Sequence, residues 1–309
     1  MTGPAPTRRE RYLGTLLGLA TGDALGAPAE FLSPEQIVER WGVLAEMVGG
    51  GPHDVEPGEA TDATEMTLCV AESLAERRRF DPEDLAQRYL AWFAGGPKDV
   101  SLTVRTVLLS LRAGTALDMA ARRAHEILGS PTAGNGSLAR CAPMALFLAD
   151  DRRALHDASL RESGLTHFDR LAGWACAAYN ELIVAALDGA LRSELLQVAS
   201  RFDEGDSRVS AIIREAAVAE PEEIHSSAAV LDTLRAAVWC TIHGQSFEEA
   251  VVLAVNLGND ADTTGAVTGA LAGAHFGSAA IPERWLDRLA VRDRVATAAS
   301  RLADFKGLD

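Results

Sequence analysis

Two short stretches of this chain gather oxygen ligands at the start of apolar, helix-patterned segments. Ala60-Thr61-Asp62-Ala63-Thr64-Glu65 runs into an apolar segment through Ala71 and Leu74. Asn256-Leu257-Gly258-Asn259-Asp260-Ala261-Asp262-Thr263-Thr264 lies between an apolar 250–255 stretch and a glycine-rich one. Asp62 alone reads as an N-cap or first-turn acid, which many helices use. Two acids with two threonines at the second helix start exceed what capping requires. Hydroxyl and carboxylate oxygens suit a hard cation such as Mg2+ or Mn2+. Thr61, Asp62, Asp260, Asp262 and Thr263 are therefore candidate ligands for one or two ions, provided the two segments meet. Neither cluster holds a histidine or cysteine, which speaks against zinc.

A third stretch, Gly134-Asn135-Gly136-Ser137, leads into Leu138-Ala139-Arg140. A glycine-rich turn entering a helix can present backbone amides to phosphate groups without any net positive charge; an ordinary turn is the other reading. His167, in Leu165-Thr166-His167, is a lone histidine near an apolar segment, open to a structural or a contact role. Asp23 reads as a polar residue within a helix, with orientation of a neighbouring ligand as the other option.

The elements that must position these residues are helical. Leu85, Tyr89, Trp92 and Phe93 follow helical spacing, as do Leu231, Leu234, Val238 and Trp239. Ser33-Pro34-Glu35-Gln36 places proline at the first helical position and glutamine three residues after the serine, and Asp81-Pro82-Glu83-Asp84 repeats the arrangement. Period-two alternation is scarce, so the fold expected is all-α. Glycines at 265, 269, 273 and 277 line one helix face that another backbone can approach closely. Asp260, Asp262 and His275 argue against a membrane span there. Arg8, Arg9 and Arg11 before an apolar 12–20 stretch imitate a secretion signal. Glu10 and Asp23 interrupt that pattern, and Leu13, Leu16, Leu17 and Ala20 suit an amphipathic helix instead. With no linker or composition shift, one domain is expected over 8–309, preceded by a frayed tail at 1–7.

Composition narrows the partners. Among 309 residues, 48% are hydrophobic and 24% charged, an ordinary globular balance. A net charge of -15 opposes non-specific binding to nucleic acid or an anionic membrane. Cys69, Cys141, Cys176 and Cys240 are widely spaced, which reads as buried free thiols of a cytoplasmic protein.

At these motifs the sequence resembles the ADP-ribosylglycohydrolases, the family of dinitrogenase reductase-activating glycohydrolase and the ADP-ribosyl-acceptor hydrolases. Gly18-Leu19-Ala20-Thr21-Gly22-Asp23-Ala24-Leu25-Gly26 with Glu30 is similar to its N-terminal helix. Thr61-Asp62-Ala63-Thr64 and Asp260-Ala261-Asp262-Thr263-Thr264-Gly265 resemble its two metal motifs. Gly134-Asn135-Gly136-Ser137 with Pro143, and Leu165-Thr166-His167, resemble its substrate segments.

The resemblance implies a single multi-helix domain with a central metal-binding cleft holding two Mg2+ ions. It implies cleavage of the bond between C1 of the distal ribose and an acceptor, releasing ADP-ribose from a protein, nucleic acid or small molecule. Thr61, Asp62, Asp260, Asp262 and Thr263 would be ligands by that resemblance, and Gly134, Asn135, Gly136, Ser137 and His167 substrate contacts. Glu30 matches a carboxylate close to the scissile bond, and Asp99, in Gly96-Pro97-Lys98-Asp99, another acid near the metals. Two positions depart from the pattern. Ala63 stands where the first motif has a second acid, so one ion is expected to bind weakly, and a non-catalytic ADP-ribose-binding module becomes the alternative. Ile224-His225-Ser226-Ser227-Ala228 replaces a more glycine-rich segment.

Overall fold

The computed structural model describes residues 5–129, 133–190, 192–202 and 205–308. Among these there is no strand, and two isolated backbone bridges, Gly50 with Val55 and Gly134 with Ala229, are the extended pairing present. The first half comprises α1 (Arg8–Gly26), α2 (Pro34–Trp41), α3 (Asp62–Arg77), α4 (Pro82–Ala94), α5 (Leu102–Arg112), α6 (Leu117–Leu128), α7 (Ala142–Leu148) and α8 (Arg152–Ser163). The second comprises α9 (Arg170–Leu187), α10 (Arg192–Leu195), α11 (Ser207–Ala216), α12 (Val230–His243), α13 (Phe247–Val255), α14 (Ala261–Phe276), α15 (Glu283–Leu286) and α16 (Arg292–Phe305).

The caps predicted from sequence form. Ser33 and Gln36 make a reciprocal capping box at α2, and Asp81 accepts the Asp84 N–H at α4. Part of the segment expected to be a tail, 1–7, belongs to the first helix start. Met1–Pro4 lie outside the described residues, whereas Thr7 is the N-cap of α1 and forms a capping box with Glu10. A hydroxyl accepting an orphan helix N–H is fixed structure, not a frayed end.

At the centre α1 packs against α14, and the reason is glycine on both sides. Gly14, Gly18, Gly22 and Gly26 face Gly273, Gly269, Gly265 and Ala261 in antiparallel order. A Cβ added at those four α1 positions would stand 2.3, 2.2, 2.0 and 2.3 Å from the facing carbonyl oxygen. The backbones therefore touch, and no larger residue fits. Gly277 leaves the expected glycine face: it lies past the end of α14 with φ 79° and meets Pro6 instead. The amphipathic reading of α1 is likewise corrected. Fifteen of its 19 residues are buried, because helices cover it on every side. Arg11, almost wholly buried, donates to the Ala274 carbonyl at 3.0 Å and to that of His275. A cation thus closes the C-terminus of α14, where the helix dipole favours positive charge. The four cysteines are free and buried. Among the described residues, no helix is long and apolar enough to cross a membrane.

Candidate active site

The close approach of α1 and α14 brings both acidic clusters together at one end of the pair. Thr61 is the N-cap of α3, yet its side chain does not cap the helix. Its hydroxyl donates to Asp23 Oδ1 at 2.7 Å and lies 3.4 Å from Asp262 Oδ2. Asp23, on α1 and wholly buried, performs the capping from a different helix. It accepts the Thr61 N–H at 3.1 Å, the Thr64 N–H at 3.0 Å and the Thr64 hydroxyl. Asp23 is thus the anchor of the first acidic motif, not simply a polar residue within a helix. Burial pushes its pKa up to about 6, against the opposing pull of the Thr64 and Thr61 hydrogen bonds.

The second motif shows the same economy. Asp260 is the N-cap of α14 but makes no capping bond. Its Oδ2 instead accepts from Asn135 Nδ2 at 2.7 Å, and its carbonyl accepts from the Ser226 hydroxyl at 2.9 Å. Asp262 is 2% exposed, and its Oδ1 has no hydrogen-bond partner. Asp62 Oδ2 accepts the Ser101 N–H at 3.2 Å. Capped helices would explain none of these placements, because the side chains face the cleft and not their own amides.

That cleft, about 830 Å3, is lined by Glu30, Phe31, His53, Asp62, Asp99, Ser101, Asn135, Gly136, Ser226, Ser227, Asn259, Asp260, Asp262 and Thr263 among others. Glu30 and Asp99 face it from different segments and are joined by His53, whose Nε2 lies 2.6 Å from Glu30 Oε2 and 3.5 Å from Asp99 Oδ1. Burial, then the charge of Asp99, raises the Glu30 pKa to about 7, with His53 opposing. Asp99 is raised first by burial. Asp62 and Asp262 are raised well above the carboxylate range, by burial and then by the charges of Asp99 and Asp260 respectively. A carboxylate titrating near neutrality is suited to proton transfer.

The Gly134–Ser137 loop closes another side, with contacts that differ from those expected. The Asn135 N–H donates to Ala228 O at 3.1 Å, so that amide is not available to a phosphate. Its side chain ties Asp260 to Ser227 O and Thr233 Oγ1. Ser137 turns away from the cleft: fully buried, its hydroxyl meets Ser163 Oγ at 2.8 Å. His167, 3% exposed, supports the loop from beneath, where a Cβ on Gly136 would stand 3.3 Å from its Cε1. Its Nδ1 is 2.8 Å from Thr166 Oγ1, which accepts from Arg140 Nη2 at 2.7 Å. Arg140 is itself buried on Glu162 at 2.6 Å. Burial, then the Arg140 charge, lowers the His167 pKa to about 3, so the ring is neutral.

A hard cation fits this donor set. The cleft offers a threonine hydroxyl and several carboxylates, and Asp262 carries an unpartnered buried oxygen that a cation would satisfy. Among the described residues, no three His, Cys, Asp or Glu side chains already converge as a ligand set. Ala63, 3% exposed and packed in the core, offers no ligand atom.

Comparison with known proteins gives the family. The sequence model of the ADP-ribosylglycohydrolase family matches residues 4–308. The chain is 32% identical over 318 residues to the ADP-ribosyl-[dinitrogen reductase] glycohydrolase of Rhodospirillum rubrum, covering 100% of each. It is 34% identical to the ADP-ribosylarginine hydrolase Tri1 of Pseudomonas putida (strain GB-1), over 96% of this chain and 78% of that protein. A solved chain described as an ADP-ribosylglycohydrolase-related protein complex superposes with a TM-score of 0.81 at 38% identity, covering 96% and 98% of the two chains. The fold is that of a helical glycosidic-bond hydrolase. The chain belongs to the ADP-ribosylglycohydrolase family.

Proposed function

We propose that this enzyme releases ADP-ribose from a modified acceptor by hydrolysing the bond at C1 of the distal ribose. Two Mg2+ ions would be held by Thr61, Asp62, Asp260, Asp262 and Thr263. The observation that carries the reading is the meeting, in one cleft, of Asp99 and of Glu30, whose pKa is raised to about 7, with a hard-oxygen cluster whose Asp262 Oδ1 lacks a partner. The bound ions would orient the ribose hydroxyls and lower the pKa of a water. The protein's own groups account for the rest. Glu30 accepts a proton or stabilises the positive charge that develops at C1. Asn135 and Ser226 hold Asp260 in place, and Asp23 fixes the two threonines of the first motif. The names of the relatives above favour an arginine-linked acceptor on a protein.

Ala63 weakens one ion in this reading without abolishing turnover, since Glu30, Asp99 and Asp262 are all present. The test is release of ADP-ribose from arginine- and serine-linked substrates, with Mg2+ and with a chelator, for this chain and for Ala63→Asp. Release from the arginine-linked substrate that stops on chelation, and that rises at low Mg2+ in Ala63→Asp, is the expected result. Release indifferent to the chelator would remove the metal assignment. Tight ADP-ribose binding with no release from either substrate would leave a binding module instead.

A further inference from the structure

Between α2 and α3 the chain passes through three consecutive glycines in the left-handed region, Gly49 (φ 68°), Gly50 (φ 88°) and Gly51 (φ 72°). Gly50 and Val55 then exchange backbone hydrogen bonds of 2.7 and 3.1 Å across a tight turn that carries His53. The turn is fastened on two sides. Gly51 lies against the segment leading to Glu30, where a Cβ on it would stand 2.7 Å from Ala27 O and 2.8 Å from Pro28 Cα. Lys98, the residue before Asp99, donates from Nζ to Asp54 O at 3.0 Å and to Glu59 Oε2 at 2.6 Å. His53 is thereby suspended between the two carboxylate-bearing segments, with its side chain 16% exposed.

We propose that His53 is a positioning residue for the hydrolysis, its Nε2 clipping Glu30 to Asp99 and so fixing both carboxylates relative to the reacting carbon. Two buried carboxylates on one cleft repel each other, and an N–H between them offsets that repulsion at a contact short enough to be charge-assisted. His53 engages Oε2 of Glu30, which leaves Oε1 for substrate or water. The backbone anchors explain why a lone histidine on a coil can do this. Gly51 and Lys98 set its distance from each partner, so the clip does not depend on a helix or strand. Without the clip, Glu30 would turn away from its neighbour, and misplacement by about 1 Å costs on the order of 100-fold in rate.

This inference rests on the proposed ADP-ribose release, and two readouts keep their failures apart. In 15N-histidine NMR of the whole chain, His53 should show a deshielded, slowly exchanging Nε2–H, assigned by its loss in His53→Gln and abolished in Glu30→Ala, which removes the acceptor. In turnover assays, His53→Ala should lower kcat by about 10- to 100-fold while KM moves less than about threefold. Added imidazole should restore part of that loss, and His53→Gln, which still carries a donor, should retain more than His53→Ala. A freely exchanging His53 indifferent to Glu30→Ala would overturn the clip, as would an unchanged kcat in His53→Ala. Equal losses in His53→Ala and His53→Gln with a matching fall in thermal stability would also overturn it, marking a packing role. Should the natural chain release nothing, the proposed function fails, and the NMR result still decides whether the clip exists.

Discussion

Gly22→Ala tests whether the glycine contact between α1 and α14 sets the geometry of the site. The new methyl would stand 2.0 Å from Gly265 O and 2.5 Å from Gly265 C, both backbone atoms. Carbon–oxygen contacts settle near about 3.3 Å, so the two helices must part by roughly 1 Å at this level. Two terms oppose each other. Alanine is the better helix former by about 1 kcal/mol. Overpacking costs about 1–3 kcal/mol, and sits at the top of that range where no rotamer change can relieve it. The overlap wins, for a net loss of about 2 kcal/mol, or about 3 °C in Tm for a chain of this size.

The functional effect should exceed the loss of stability. Gly22 adjoins Asp23, which anchors Thr61 and Thr64, while Gly265 adjoins Thr264 and lies three residues after Asp262. Parting the helices by 1 Å separates the two halves of the cleft, and kcat/KM measured on fully folded protein should fall on the order of 100-fold. Gly14→Ala is the control, because its methyl would meet Gly273 O at 2.3 Å at the far end of the same pair. It should lose similar stability and much less activity. Gly22→Ala with a raised Tm and unchanged turnover would refute the reasoning outright.

Other expectations follow from the same contacts. Asp23→Asn exchanges a pure acceptor for an amide whose NH2 faces N–H and O–H donors, so it should cost about 1–3 kcal/mol and weaken Mg2+ dependence of turnover, read by titration. His167 has a folded pKa lowered to about 3, so its stabilisation is complete above about pH 6.5 and is lost as pH falls from there toward 3. At pH 5 that loss is about 2 kcal/mol; urea unfolding at pH 7 and pH 5 should show it in the natural chain and show less of it in His167→Gln. Arg140→Ala leaves the Glu162 carboxylate buried without its cation and should cost about 3–5 kcal/mol, whereas Arg140→Met with Glu162→Leu should recover most of that in the same assay. Phe31, 70% exposed at the cleft with φ 63°, should gain stability on Phe31→Gly through relief of backbone strain, read as a rise in Tm.

The sequence made the acidic motifs visible because they cluster in type. Two acids and two threonines around one helix start are conspicuous, and the α14 glycines keep a four-residue period. The facing stripe at Gly14, Gly18, Gly22 and Gly26 has the same period. It was obscured because the leucines between those glycines also fit an amphipathic helix, and one helix's sequence does not show that it is covered on all sides. The role of Asp23 is hidden for a related reason: capping rules look within four residues, and this cap reaches from α1 to Thr61 and Thr64. Ser137 and His167 sit in the motifs that carry the family resemblance, yet their side chains turn to the core, since motif position does not fix side-chain direction.

His53 shows a different limit. It lies in a coil segment of glycines and prolines that offers no periodicity, and one histidine there carries no spacing signal. Its placement depends on Gly51 touching Ala27 and on Lys98 reaching Asp54, two contacts between segments distant in sequence. The same dependence explains how so acidic a cleft holds together before any cation binds. Burial first, then the charges of Asp99 and Asp260, raise the pKa values of Glu30, Asp62 and Asp262, and Asn135, Ser101 and His53 supply hydrogen-bond partners among these carboxylates. A bound cation would reverse those shifts and draw the carboxylates together. Chelator-stripped protein should accordingly take up protons at neutral pH, and adding Mg2+ should release them. Proton release measured in weakly buffered solution reads this directly, and its absence would mean that the cleft carboxylates do not serve a metal.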